Sequence, residues 1–161
     1  MKSVTDTILT GLRDPNKIAE DNFYVLLLAG EALAKHSMVA YNTAGVCPEV
    51  DVSDISAVDS KRIVDALLEC YQATSCNNTR GGILYALGKT RDPAVVEFFR
   101  QQLVEFTKLL LLANGTVFQA MIGLNNLDEA ILKGGGGVTD VEANLAEARR
   151  YLALHGTLLP W

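Results

Sequence analysis

The fold is decided by the stretch Leu84-Tyr85-Ala86-Leu87-Gly88-Lys89-Thr90-Arg91-Asp92-Pro93-Ala94-Val95-Val96. An amphipathic segment ends at Gly88, a short polar turn follows, and a second, more apolar segment begins. Asp92 is well placed as a helix N-cap because its carboxylate can accept from the free amides of the next turn. Pro93 suits the first helical position because its φ is already close to the helical value. This stretch therefore predicts a helix–turn–helix hairpin.

The two helices of the predicted hairpin run over Thr79–Lys89 and Asp92–Ala113, and apolar residues at helical spacing predict further helices on both sides. These cover 3–11, Lys17–Lys35, Ser56–Thr74, Thr116–Leu127 and a last helix from Thr139 or Asp140 to Leu154, while 128–133 can start another helix. Residues 36–53 and the four glycines Gly134–Gly137 read as loops. We therefore expect an all-α fold of about six to eight helices.

The sequence also contains an internal repeat at a register of about 37 residues. Residues 114–131 align with residues 77–95, so that Leu84 meets Met121 and Leu87 meets Leu124. A period in this range is typical of stacked antiparallel helical hairpins, in which neighbouring units cover each other's apolar faces. The repeat predicts an α-α superhelix.

The residues of the repeat resemble a known pattern. The run Ala86-Leu87-Gly88-Lys89-Thr90-Arg91-Asp92-Pro93-Ala94-Val95-Val96-Glu97 resembles the turn of HEAT-like repeats of the phycobilisome-lyase type, and the likeness extends over about residues 79–127. This resemblance implies a superhelix that binds a partner protein. The later repeat has Asp128-Glu129 in place of Asp-Pro, and the segment 103–114 is longer than the family's second helix, so lyase activity is not carried over.

A fainter resemblance points to a particular kind of partner. The stretch Arg80-Gly81-Gly82-Ile83-Leu84-Tyr85-Ala86-Leu87 in a small acidic chain is similar to immunity proteins of bacterial polymorphic toxin systems. This likeness implies that the chain neutralises a cognate toxin.

Length and composition indicate a single domain over residues 1–161. The chain is 49% hydrophobic and 20% charged, which is a globular composition, and its length allows one domain to bury most of the surface of the unfolded chain. The net charge of −5 argues against a nucleic-acid partner, because phosphate binding needs a surplus of Lys and Arg. An acidic surface is compatible with a basic protein partner.

The sequence also predicts a cytoplasmic location without membrane attachment. Its longest apolar runs, Tyr24–Ala29 and Leu109–Ala113, are far shorter than the about 20 residues that cross a bilayer. The N-terminal residues lack the pattern of a signal peptide. Three cysteines, Cys47, Cys70 and Cys76, leave one thiol unpaired in any disulfide scheme, so we expect free thiols in a reducing compartment.

No constellation of catalytic residues is recognisable, and we expect the chain not to be an enzyme and to carry no metal or cofactor. Its two histidines, His36 and His155, have no Cys, Asp or Glu at ligand spacing. Asp65 and Glu69 fall four residues apart but read as two solvated acids. Cys76 stands near a helix start, where a thiol pKa is lowered, although an inert thiol is the simpler interpretation.

The sequence therefore favours a non-catalytic protein-binding module. The residues expected to face a basic partner are polar and mostly acidic; they are Glu97, Gln101, Glu105, Lys108, Asp128 and Glu129. Acidic complementarity of this kind speeds capture of a basic surface. A toxin domain would be one such partner, and the free protein is expected to be a monomer or a homodimer.

Two alternatives stay open at this point. An adaptor or homo-oligomeric structural protein would use the apolar tail Leu158–Trp161 or the run Leu109–Leu112 as a self-contact. A small-molecule-binding or lyase-like protein would line a pocket with aromatic side chains, for which the candidates are Tyr85, Phe98, Phe99 and Phe118.

Overall fold

A computed structural model describes residues 2–18, 24–37, 52, 55–109, 114–126 and 140–155. Within these residues it contains eight helices and no strand, so the predicted all-α class is confirmed. The helices are α1 (Val4–Leu12), α2 (Pro15–Ile18), α3 (Tyr24–Ser37), α4 (Ala57–Ala73), α5 (Asn77–Leu87), α6 (Ala94–Leu109), α7 (Asn114–Asn126) and α8 (Val141–Leu154).

The chain divides into two compact units, Met1–Arg91 with α1 to α5 and Asp92–Trp161 with α6 to α8. The two helices of the predicted hairpin, α5 and α6, thus belong to different units. Their pairing, the superhelix and the single domain over 1–161 stay predictions.

Three of the helices begin at a side-chain cap. The hydroxyls of Ser3 and Ser56 and the carboxylate of Asp140 each accept from the backbone amide three residues on, at 3.1, 3.0 and 3.0 Å. Each bond satisfies one of the amides that a helix start leaves free. The structure also decides between the two candidate caps of the last helix in favour of Asp140.

An Asp-Pro pair starts a helix in each unit. Oδ1 of Asp14 accepts from the amide two residues on at 3.0 Å, and Oδ1 of Asp92 does the same at 2.9 Å. Pro15 is the first residue of α2, and Pro93 directly precedes α6. The capping role predicted for Asp92 is therefore confirmed, whereas Pro93, predicted as the first helical residue, lies just before the helix, which begins at Ala94.

The core of unit Met1–Arg91 is built around α3, which packs against α1, α2, α4 and α5. Its buried residues lie on nearly all sides of the helix, as its apolar pattern predicts; they are Val25, Leu26, Leu28, Ala29, Gly30, Ala32, Leu33 and Ala34. Helix α5 comes close at Gly30, where a Cβ atom would lie 3.4 Å from Cα of Ala86. A methyl group at this position would therefore be in ordinary van der Waals contact with α5.

In unit Asp92–Trp161, α6 packs against both α7 and α8, and α7 also contacts α8. The ring of the fully buried Phe99 occupies the space beside Gly123 of α7. A Cβ atom at Gly123 would lie only 2.5 Å from Cζ of Phe99. The contact between α6 and α7 therefore requires a residue without a side chain at this position.

The predicted register of 37 residues relates α5 to α7. The two helices begin at Asn77 and Asn114, which are 37 residues apart. The same register pairs residues of equal burial: Ile83 with Ala120, Leu84 with Met121, Ala86 with Gly123 and Leu87 with Leu124 are all buried, while Tyr85 and Ile122 are half-buried.

The preceding helices repeat as well, at a register of 36 residues. Buried residues of α4 match buried residues of α6 as follows: Ile63 with Phe99, Ala66 with Gln102, Leu67 with Leu103, Cys70 with Phe106 and Tyr71 with Thr107. Helices α4 and α5 pack on each other, and so do α6 and α7. The repeated pair is therefore α4–α5 and α6–α7, displaced by one helix from the hairpin expected from the turn at 88–93.

Several helix boundaries differ from the predicted ones. Lys17 and Ile18 belong to the short α2 rather than to a helix continuing to Lys35, and residues 19–23 lie outside the described part of the chain. Helix α3 continues through Ser37, so the expected loop does not begin at residue 36. Helices α5 and α7 start two residues earlier than predicted, and in both the first helical residue is an asparagine, Asn77 or Asn114.

Other expected features lie outside the described residues: most of the loop 36–53, the segment 128–133, the glycines 134–137 and the tail 158–161. In the part of the chain that is described, no helix combines the length and the apolar character needed to cross a bilayer.

The glycine contacts make opposite predictions for two single substitutions. Gly123→Ala should destabilise the protein by about 1–3 kcal/mol, because the new methyl group collides with the ring of Phe99. Gly30→Ala should be neutral or stabilising by up to about 1 kcal/mol, because its methyl group has room and alanine favours the helix. Urea unfolding followed by circular dichroism measures both.

Asn125→Ala is the matched control, since Asn125 is exposed on α7. Equal stabilities of Gly123→Ala and Asn125→Ala would contradict the packing described between α6 and α7.

Candidate protein-binding surface

The outward side of α6 carries four of the six residues expected to bind a partner. Glu97, Gln101, Glu105 and Lys108, which we call the α6 polar stripe, are spaced four, four and three residues apart and therefore share one side of the helix. Glu105 is half-buried and the other three are exposed. The two remaining residues of the predicted site, Asp128 and Glu129, lie outside the described residues.

The inner side of the same helix fixes which way the stripe faces. The buried residues of α6 are Val95, Phe99, Gln102, Leu103, Phe106 and Thr107. They pack against α7 and α8. Because the apolar side must stay in this core, the stripe faces away from its own unit.

The contacts between side chains within the stripe, and with the neighbouring Arg100, are weak. Nε2 of Gln101 donates to Oε1 of Glu105 at 3.0 Å. Oε2 of Glu97 lies 3.9 Å from a guanidinium nitrogen of Arg100, and the Glu97 side chain is 75% exposed. Exposed contacts of this kind contribute about 0–1 kcal/mol to stability. The carboxylates therefore remain available to a partner at little cost in folding free energy.

Arg100, in contrast, is held firmly by α8. Its Nε donates to the hydroxyl of Tyr151 at 2.8 Å, and its guanidinium carbon lies 5.6 Å from the centroid of the Tyr151 ring. A second guanidinium nitrogen lies 3.1 Å from Nδ1 of His155. Since a guanidinium has only donors, this hydrogen bond requires Nδ1 of His155 to be the acceptor.

The histidine also contacts the tyrosine, with ring centroids 4.3 Å apart. Tyr151 is 1% exposed, so the network joins a buried hydroxyl to the edge of the surface where Glu97 lies. Sequence reasoning did not find this network, because its members are 51 and 55 residues apart. The feature of the sequence that could have indicated the network is Tyr151, because the phenol of a buried tyrosine usually needs a polar partner.

The two described cysteines have opposite environments. Cys76, at the N-cap of α5, is exposed, and its pKa is lowered by the nearby amide and hydroxyl of Thr79 and by the amide of Asn78. Cys70 is buried and donates from Sγ to the carbonyl of Leu12 at 2.9 Å. Burial, and then the charge of Glu69, raise the pKa of Cys70. The lowered pKa of Cys76 agrees with its position at a helix start, where the sequence alone left an inert thiol as the simpler interpretation.

The other candidates for chemistry take structural or surface positions. Nδ1 of His36 lies 3.1 Å from the carbonyl of Ile55, and Asp65 forms an ion pair with Lys61. Among the described residues, no three His, Cys, Asp or Glu side chains are grouped as metal ligands.

The four candidate pocket aromatics are distributed over both units. Tyr85 lies in Met1–Arg91 with the Lys89 ammonium 4.9 Å from its ring centroid. Phe98, Phe99 and Phe118 lie in Asp92–Trp161, where Phe99 is part of the core. Neither unit by itself therefore brings all four together.

Comparisons of the chain with protein-family models, curated proteins and solved structures gave no match.

The Arg100 network predicts a difference between two arginines. Arg100→Met should destabilise the protein by about 1–2 kcal/mol, since it removes the hydrogen bond to Tyr151 and the cation–π contact. Arg149→Met, at an exposed position of α8, should change stability by less than about 0.5 kcal/mol. Urea unfolding measures both, and equal losses would contradict the network.

The thiol environments predict a difference in reactivity. Because the thiolate is the nucleophile, the lowered pKa of Cys76 should give it faster reaction than Cys70 with a disulfide reagent at pH 7. Thr79→Val, which keeps the shape and the amide but removes the hydroxyl, should shift the rate profile of Cys76 to higher pH. Ser75→Ala is the control and should leave the profile in place. An unchanged profile in Thr79→Val would contradict the role of the Thr79 hydroxyl in lowering the pKa of Cys76.

Proposed function

We propose that the chain is a non-catalytic protein-binding module that captures a basic partner on the α6 polar stripe. The observation that carries this proposal is the row of Glu97 and Gln101, which are exposed, and Glu105, which is half-buried, on a helix whose opposite side is buried. The helix backbone fixes the spacing of these residues, so a partner with lysines or arginines at matching spacing meets a complementary surface.

The charge of the surrounding unit supports a basic partner. Residues 92–161 contain eight Asp and Glu residues but five Lys and Arg residues. One of those five, Arg100, is held against Tyr151 and is only 21% exposed. Its guanidinium lies 3.9 Å from the Glu97 carboxylate, and Lys108 lies at the other end of the stripe. A partner is thus expected to place its positive charges over Glu97 and Glu105.

The proposal extends to a cytoplasmic protein that acts by occupying its partner, as an immunity protein does when it neutralises a toxin. The likeness of residues 79–127 to HEAT-like repeats and of residues 80–87 to immunity proteins favours this form of the proposal. The repeated helix pair at a register of 36 to 37 residues supports a stacked architecture with an exposed helix for binding.

Charge reversal tests the proposed surface. The partner is first identified by co-purification with the chain from its native cell and is then titrated as a purified protein. The double variant Glu97→Lys with Glu105→Lys should weaken binding by at least about tenfold at low salt, because two attractions become repulsions. The loss should shrink at about 0.5 M salt, where the charges are screened.

A matched control reverses two acids on the other unit. Asp65→Lys with Glu69→Lys makes the same change in net charge on the exposed side of α4. This variant should bind the partner as the parent chain does. Equal binding by parent and stripe variant, or equal loss in both double variants, would contradict the assignment of the surface.

The homo-oligomeric alternative makes a different prediction. Deletion of residues 157–161 should leave the molar mass from light scattering at the monomer value if the chain is a monomeric binding module. If the protein self-associates through this tail, the deletion should lower the molar mass from that of the oligomer to that of the monomer. A toxin-neutralising role additionally requires that the purified chain abolish the partner's activity at equimolar concentration.

A further inference from the structure

Unit Met1–Arg91 contains a cavity of about 220 Å³ between α1, α2 and α4, which is remote in sequence from the α6 polar stripe. Its walls are aliphatic and come from Leu12, Pro15, Ile18, Ala66 and Ala73. Nothing in the proposed capture of a partner uses these residues.

The wall also contains the thiol of Cys70, but this group does not make the cavity polar. Cys70 is 8% exposed, and its S–H is already engaged by the carbonyl of Leu12. A ligand in the cavity therefore meets hydrocarbon and sulfur rather than a free hydrogen-bonding group. Such surroundings favour an apolar ligand, because a polar group would lose its hydrogen bonds to water without replacement.

Two side chains of opposite charge line the side of the cavity that is open to solvent. Arg13 and Glu69 both line the cavity, and both are exposed to solvent. Among the described residues, neither side chain takes part in an ion pair. A ligand whose apolar part lies in the cavity can thus place an anionic group by Arg13 and a cationic group by Glu69.

The volume limits the size of the ligand. A closed apolar cavity of about 150 Å³ accommodates a ring of six heavy atoms, so by proportion this cavity, which is open to solvent on one side, holds about nine heavy atoms of a ligand's apolar part. That is too small for a folded partner and fits one short alkyl chain or one aromatic ring.

We propose that the cavity binds a small amphipathic zwitterion, with an aliphatic α-amino acid as its simplest form. The hydrocarbon chain lies among Leu12, Ile18 and Ala66, the carboxylate faces Arg13 and the ammonium group faces Glu69. Binding here is independent of the proposed capture of a protein, since it uses a different unit.

Calorimetric titration with linear α-amino acids, from norvaline to 2-aminodecanoate, tests the cavity. Affinity should rise about fourfold with each added methylene until the cavity is full, as expected for transfer of CH₂ groups from water. Ala66→Leu should abolish binding because the larger side chain fills the cavity. Ala73→Leu should abolish binding because it fills the edge of the cavity. Ala57→Leu, at an exposed position on the same helix, is the control and should bind normally.

Head-group analogues test the charges. Octanoate and heptylamine each lack one charged group of 2-aminooctanoate and should bind up to about fivefold more weakly, as expected for exposed ion pairs. In Arg13→Ala, 2-aminooctanoate should bind no more tightly than heptylamine. In Glu69→Ala, it should bind no more tightly than octanoate. Equal binding of all three compounds would overturn the assignment of a zwitterion.

The thiol supplies a second readout. In a Cys47→Ser variant, 2-aminooctanoate at ten times its dissociation constant should slow the modification of Cys70 by roughly tenfold, in proportion to occupancy. The modification of the exposed Cys76 should not change. The proposal would be overturned if affinity did not depend on chain length, or if the ligand did not protect Cys70. It would also be overturned if both cavity-filling variants remained helical and still bound the ligand. The charge-reversal variant of the α6 polar stripe should bind the amino acid normally.

Discussion

The ring of Phe99 fills the space that Gly123 leaves free on α7, and the orientation of α6 depends on this contact. With Phe99, Leu103 and Phe106 buried, the remaining side of the helix has to face outward. A rotation of α6 that moved the stripe would expose these side chains to water at a cost of about 1.5–3 kcal/mol for each large apolar group. Packing on the inside therefore determines which charges the unit presents on the outside.

The polar contacts around α6 divide into two kinds with different consequences. The contact between Gln101 and Glu105 is exposed and contributes little to folding, which leaves both side chains free to change partners. The contacts of Arg100 with Tyr151 and His155 join α6 to α8 across a buried phenol. The proposed binding surface therefore combines a fixed framework with side chains that can change partners.

The two units share a helix pair and differ in the chemistry that surrounds it. In α4–α5 and α6–α7 the buried positions match at registers of 36 and 37 residues, so the same pattern of inward-facing residues is used twice. Around the first pair, α1 and α2 leave an aliphatic cavity with Arg13 and Glu69 at its opening. Around the second pair, α8 supplies the tyrosine and histidine that hold Arg100. Each candidate site therefore combines a helix of the repeated pair, α4 or α6, with contacts from helices outside it.

Local interactions explain how much of this protein was predictable from its sequence. The caps at Ser3, Ser56 and Asp140, the Asp-Pro starts at residues 14 and 92, and the all-α class follow from groups within a few residues of each other. The stripe on α6 was also predictable, because helical spacing alone places Glu97, Gln101 and Glu105 on one side.

Tertiary structure decided the features that join distant residues. No local pattern indicated that the division into units falls at Arg91, between the helices of the predicted hairpin, or that the repeated pair begins at α4. Arg100, Tyr151 and His155 meet only because α6 and α8 pack together, and the cavity exists only where α1, α2 and α4 fail to fill space completely. The physical reason is that helix formation depends on neighbours in the chain, whereas packing depends on the shapes of side chains that are many residues apart.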